Sequence, residues 1–172
     1  MRQKRVVITQ GEHAVGSDPD VSISTLLGSC VACCYWDPVA NVGGMNHILL
    51  ATTTKQMASC DHAGVNAMEL LINDLLKLGA MRNRLQAKLF GGAQMISGLS
   101  EIGPANCAFA LDYLKRENIP CLSQSLGGDK ARQLIFWPTT GAVRMKAQRD
   151  APPPPPPVAE PVVEAGNDLE LF

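Results

Sequence analysis

The chain has 172 residues, 46% of them hydrophobic, with Lys+Arg 15 against Asp+Glu 16 and a formal net charge of -1. That length supports one domain with a sizeable core and is short for two, and nothing in the near-neutral charge marks a nucleic-acid or polybasic membrane binder. No apolar run approaches the ~20 residues that span a bilayer. The basic start Met1-Arg2-Gln3-Lys4-Arg5 leads into Val6-Val7-Ile8, too short for a signal-peptide core, so a soluble cytoplasmic protein is expected.

In chain order, residues 5–9 and 21–25 predict short strands, separated by a Gly-Ser-Asp-Pro-Asp turn region at 16–20. A hairpin follows, with an apolar run from Cys30 to Trp36, a turn Asp37-Pro38-Val39-Ala40 and a return strand through Gly43-Gly44-Met45-Asn46-His47. Asp at the first turn position and Pro at the second suit a type I turn. With Pro38 and Val39 at its centre, Asp37 faces Ala40, and Cys30 stands directly opposite His47 with Cβ atoms roughly 5 Å apart. A loop one residue longer puts His47 opposite Val31 on the other face, unless a bulge at Gly43-Gly44 restores it.

A polar connection at 52–55 precedes a helix over 61–78, where Val65, Met68, Leu71, Ile72, Leu75, Leu76 and Leu78 keep helical spacing. Ser59 or Asp61 can cap its start, and Gly79 supplies the stop. A strand over 85–90 ends in Gly91-Gly92, and a second amphipathic helix over 105–117 has Pro104 in its first turn. Strands over 120–126 and 132–137, a turn Pro138-Thr139-Thr140-Gly141 and a last hairpin arm over 142–147 complete the pattern. Hairpins mixed with two helices predict a mixed α/β domain, largely antiparallel, with helices over a sheet. After Asp150 the composition changes to six prolines at 152–157 and an acidic end, Asn167-Asp168-Leu169-Glu170-Leu171-Phe172. The domain is therefore placed at 1–148. Residues 149–172 read as a proline-rich disordered tail on a polyproline spacer of about 3.1 Å per residue, either a docking tag or plain disorder.

Six cysteines without a secretory signal read as reduced thiols. Cys107 and Cys121, in apolar stretches, read as small core hydrophobes, and of the adjacent Cys33 and Cys34 one must face inward. Cys30 differs because Gly28-Ser29 precede it. Gly28 allows a tight turn, and adjacent N–H groups there can face an oxyanion. A thiol beside an imidazole ionises, since imidazolium stabilises thiolate, and attacks a carbonyl. The histidine then protonates the leaving nitrogen and activates water. A satisfied core histidine is the competing reading of His47. His13 and His62, beside a turn and a helix start, lack a nucleophile cue. Cys30-Val31-Ala32-Cys33 is formally C-x-x-C, but β-forming residues follow it instead of a helix start. Cys30, Cys33, Cys60 and His62 lack the second ligand pair of a zinc site. Gly91-Gly92 and Gly127-Gly128 lack the Lys-Ser/Thr of a phosphate loop, so no metal or cofactor is expected.

Leu27-Gly28-Ser29-Cys30, Asp37-Pro38-Val39-Ala40, Gly43-Gly44-Met45-Asn46-His47 and Phe90-Gly91-Gly92-Ala93 together resemble the chemoreceptor glutamine deamidase family, CheD. Ile102-Gly103 with Asn106, Leu126-Gly127-Gly128 and Pro138-x-Thr140-Gly141 extend the likeness, which runs from about Val7 to Lys146. One departure is Ala131, where family members commonly carry Gly before the Arg. The resemblance implies an α/β sandwich similar to the deamidating cytotoxic necrotising factor toxins. It implies a cysteine-dependent amidohydrolase that converts glutamines of methyl-accepting chemotaxis receptors to glutamates through a thioester, releasing ammonia. Catalytic roles carry over to Cys30 and His47, and a hydroxyl shortly before the cysteine belongs to the site, either Ser24 or Thr25. In some members a CheC-type phosphatase is a partner. The alternative is a binding module that docks on receptors or on such a phosphatase with little turnover.

Overall fold

Strands that carry one apolar face bury it only by stacking against another layer. A computed structural model describes how the chain does this for residues 2–50, 57–95 and 101–148, with side chains of the first helix described from residue 62. Its strands are β1 (Lys4–Val7), β2 (His13–Gly16), β3 (Val21–Leu27), β4 (Val31–Asp37), β5 (Val42–Asn46), β6 (Gln86–Gly91), β7 (Cys121–Leu126), β8 (Arg132–Phe136) and β9 (Val143–Ala147). Between them lie the helices α1 (Met57–Lys77) and α2 (Ile102–Arg116), and a single 3-10 turn at Arg82–Arg84. A four-stranded sheet has the order β1-β3-β8-β9 and a five-stranded sheet the order β2-β5-β4-β6-β7. Pairing is parallel for β1 with β3 and for β6 with β7, and antiparallel elsewhere.

The five-stranded sheet is covered on both sides. One face meets the four-stranded sheet over Ile23, Leu27, Ala32, Cys34, Met45, Leu134 and Phe136. The other carries the helices over Val31, Cys33, Tyr35, Leu71, Leu75 and Leu89. The result is the mixed α/β domain, largely antiparallel, that the sequence pattern predicts, built as the sandwich that the resemblance implies. Two covered faces also explain why the adjacent Cys33 and Cys34 are both buried.

Several elements differ from expectation. Helix α1 begins at Met57, so Ser59 and Asp61 lie inside it and not at its cap. Helix α2 begins at Ile102, which still leaves Pro104 in the first turn, where a missing N–H removes no intrahelical bond. The four residues of β2 carry no alternation and escape the sequence pattern. They pair with β5 beside Gly43 and Gly44, where a Cβ on Gly44 would lie 2.8 Å from the Ala14 carbonyl oxygen. Cys121 is exposed, not a core hydrophobe, because β7 is the edge strand of its sheet. Cys107 is half-buried against the helix-side core. The polar connection at 52–55 and the proline-rich tail lie outside the described residues.

The hairpin register also differs. Asp37 pairs with Val42 and Cys34 with Met45, and a bridge between Val31 and Ile48 continues the same register. The connection is therefore the four residues Pro38-Val39-Ala40-Asn41, not a two-residue turn. Asp37 is the cause. Its buried carboxylate accepts the N–H groups of Val39 (2.9 Å), Ala40 (3.0 Å) and Met81 (2.9 Å) and the Arg84 guanidinium (2.9 Å). Its carbonyl accepts from Asn41 N–H at 2.9 Å, with Asn41 at φ 54°. Burial alone would raise this carboxyl, but the Ala40 and Met81 amides and the Arg84 guanidinium hold it below the ordinary value. In this register Ala32, not Cys30, stands across from His47. A slip of two residues preserves side-chain direction, so Cys30 and His47 remain on the inter-sheet face as diagonal neighbours.

Candidate active site

Residues 28–30 must cross between layers, because β3 belongs to the four-stranded sheet and β4 to the five-stranded one. All their carbonyls are held. Gly28 O accepts from Ala93 N–H at 3.0 Å, Ser29 O from Asn106 Nδ2 at 2.8 Å and Cys30 O from Gly92 N–H at 2.8 Å. Gly91, at φ 113°, makes this approach possible, since a Cβ there would lie 2.1 Å from the Cys30 carbonyl oxygen. Arg132 secures the glycine turn from behind, donating to Gly91 O at 3.3 Å and to Gly127 O at 2.6 Å. Ala131 immediately before it does not prevent these bonds.

His47 leaves the end of β5 with its backbone pinned on both sides. Its N–H donates to Glu12 O at 3.0 Å, and its carbonyl accepts Gly11 N–H at 2.9 Å. Across the layer, Thr25 Oγ1 lies 2.7 Å from His47 Nδ1 and donates to Ile8 O at 2.8 Å. A threonine hydroxyl carries one proton. With that proton on Ile8 O, Nδ1 of His47 is the donor to Oγ1, and Nε2 keeps the lone pair of a base. Ser24 points to the opposite face of β3, as the two-residue period requires. Of the two hydroxyls left open by sequence, Thr25 is the one His47 meets. Cys30, His47 and Thr25 are 9%, 7% and 3% exposed.

That burial sets the electrostatics. It pushes the Cys30 thiol up, with the residue's own amide opposing, and pushes the His47 imidazole down, with Glu12 opposing. Both shifts favour a neutral thiol and a neutral imidazole, in place of the thiolate–imidazolium pair expected from sequence. A groove of about 270 Å³ opens beside His47, between the 11–12 turn and α1, lined in part by Glu12, Leu49, Asn66 and Leu70.

The remaining candidates are placed elsewhere. Cys30 belongs to the inter-sheet cluster and Cys33 to the helix-side cluster, so the C-x-x-C pair spans the sheet and cannot close on one metal or one disulfide. Cys33→Ser is therefore expected to cost about 1–3 kcal/mol by burying a hydroxyl, read as a lower melting temperature, while Cys30 keeps its rate of alkylation. His13 Nε2 is engaged by Asp74 of α1 at 2.7 Å, and His62 is exposed on α1. Two parts of the site carry no sequence signal of this role. The Ile8 carbonyl is a backbone group, and Gly91-Gly92 acts on Cys30 only through the fold.

The family model described as "CheD chemotactic sensory transduction" matches residues 49–147. A protein of Agrobacterium fabrum named "Probable chemoreceptor glutamine deamidase CheD" is 49% identical over 176 residues, 98% of this chain and 97% of its own length. A Caulobacter vibrioides protein of the same name is 48% identical over 177 residues, 99% of this chain and 95% of its own. Among solved structures, Neisseria meningitidis protein NMB0706 is similar at a TM-score of 0.40 and 13% identity, over 68% of this chain and 52% of that one. Among the described residues no helix is long and apolar enough to cross a membrane. The similarity to the two named relatives runs nearly end to end: the chain belongs to the CheD family.

Proposed function

We propose that this protein is a chemoreceptor glutamine deamidase, hydrolysing side-chain amides of methyl-accepting chemotaxis receptors. One observation carries the reading to residues: Thr25 holds Nδ1 of a buried His47 that shares a sheet face with Cys30, in a chain whose relatives are named as deamidases. Cys30 Sγ attacks the carboxamide carbon as His47 Nε2 takes the thiol proton. The C–N bond then breaks, His47 returns the proton to the departing nitrogen, and ammonia leaves a thioester on Cys30. Water, deprotonated by the same imidazole, attacks that carbon. The S–C bond breaks, the thiol is regenerated, and the glutamine has become a glutamate. The groove beside His47 is where the rest of the receptor segment would lie. The residues beyond 148 take no part in this chemistry.

The test is mass spectrometry of a purified receptor cytoplasmic fragment incubated with the protein. A Gln-to-Glu shift of roughly one dalton per site, with equimolar ammonia, is expected. An unchanged receptor mass would leave a binding module as the reading.

Thr25→Val should lower kcat about 10- to 100-fold. It strands the His47 Nδ1 proton in a buried site, a penalty of about 1–3 kcal/mol, and each 1.36 kcal/mol is a factor of ten in rate. Thr25→Ser keeps the hydroxyl and should keep most of the rate. Equal loss in both variants would assign the effect to packing.

A further inference from the structure

The carbonyl clamp on residues 28–30 has a consequence for the amides of the same peptides. In a trans peptide the N–H points away from the C=O. The Gly28 carbonyl is held by Ala93, so Ser29 N–H points the other way. The Ser29 carbonyl is held by Asn106, so Cys30 N–H points away from α2. The next amide, Val31 N–H, is already committed to Ile48 O at 3.0 Å. The Ser29 and Cys30 amides find no backbone acceptor among the described residues, and the Cys30 amide lies near its own sulfur, where it favours negative charge.

Asn106 is buried, at 2% exposure, near the start of α2. Its Nδ2 donates to Ser29 O at 2.8 Å and its Oδ1 accepts Leu50 N–H at 3.2 Å. One side-chain amide thus ties the segment before Cys30 to the segment after His47. An apolar residue of the same size could pack there but would leave both backbone groups unpaired. We infer that Asn106 is a positioning residue for the oxyanion: by holding the Ser29 carbonyl it keeps the Cys30 amide, with that of Ser29, turned toward the carbon that Cys30 attacks. When the Sγ–C bond forms, the carbonyl π pair moves onto oxygen and the thiol proton moves to His47. The oxygen then meets donors already in place and needing no reorganisation. This inference rests on the proposed nucleophilic role of Cys30.

The experiment compares Asn106→Asp and Asn106→Ala with the unaltered chain in two reactions. One is ammonia release from a receptor cytoplasmic fragment; the other is alkylation of Cys30 by iodoacetamide, a displacement that forms no oxyanion. Loss of oxyanion donors costs about 10²- to 10³-fold, so kcat should fall about 100-fold with KM and the alkylation rate within about threefold. For Asn106→Asp, the kcat ratio to the unaltered chain should rise as pH falls and the carboxyl regains a donating proton. Unchanged kcat, a parallel fall in kcat and alkylation, or a flat ratio overturns the inference. Should both variants fail to fold, the unaltered chain decides, through a structure of its Cys30 hemithioacetal with an aldehyde analogue of the glutamine side chain. Adduct oxygen bonded to Ser29 or Cys30 N–H upholds the assignment, and oxygen bonded elsewhere overturns it. A Cys30→Ala control separates the two readings. Ammonia release by that variant would overturn the nucleophile itself, whereas an inactive Cys30→Ala beside fully active Asn106 variants overturns only the role of Asn106.

Discussion

Cys30→Ala is expected to lower ammonia release from a receptor fragment by about 10⁴-fold or more while the protein stays folded. Deleting a covalent nucleophile removes the thioester route and leaves only what binding and oxyanion contacts supply to attack by water. The fold should tolerate the change. The carbonyls of Gly28, Ser29 and Cys30 are held through main-chain atoms that alanine retains. The lost sulfur is one buried heavy atom, worth about 1 kcal/mol, against a domain stability of about 5–15 kcal/mol. Melting curves and an ammonia assay on the same preparation read both halves. Turnover that survives in a folded Cys30→Ala protein would remove this residue from the mechanism.

His47→Ala should lower kcat by about 10²- to 10⁴-fold, the range for loss of a general acid–base group, and should change the shape of the pH profile. Burial holds the His47 pKa below its ordinary value and the Cys30 pKa above its own. Both shifts favour the unprotonated imidazole and the protonated thiol in the neutral range of the unaltered chain. Rate should be flat there and fall on the acid side, as pH drops through the lowered His47 value and the base is lost. Without His47 that acid limb disappears, and the rate follows the thiolate fraction upward into the alkaline range. Iodoacetamide should report the same difference: the unaltered chain reacts faster near neutral pH, and the gap closes as alkali ionises the thiol in both. Superimposable alkylation profiles would show that His47 does not take the Cys30 proton.

The sequence by itself determined the elements whose signal is local. The helical spacing from Val65 to Leu78 predicts α1 without help from the rest of the chain, because a 3.6-residue period needs only neighbours along the helix. The same holds for the β-forming run through Cys34, Tyr35 and Trp36 in β4. It also sufficed to put Cys30 and His47 on one face, because the two-residue error in the loop left side-chain direction unchanged. The motif likeness named both residues.

What remained was decided by contacts between distant segments. The hairpin has a four-residue loop because the Asp37 carboxylate recruits Met81 and Arg84, 44 and 47 residues further on. That Thr25 and not Ser24 meets His47 waited on knowing which face of β3 meets the other sheet. The C-x-x-C pair lost its chemical meaning once both faces of β4 were covered. The upward shift of the Cys30 thiol and the downward shift of the His47 imidazole come from burial between the layers, and the direction of the Ser29 and Cys30 amides from Ala93 and Asn106. Spacing along the chain records which groups can share a face. Burial, protonation and the aim of a peptide plane depend on what the fold brings to the other side.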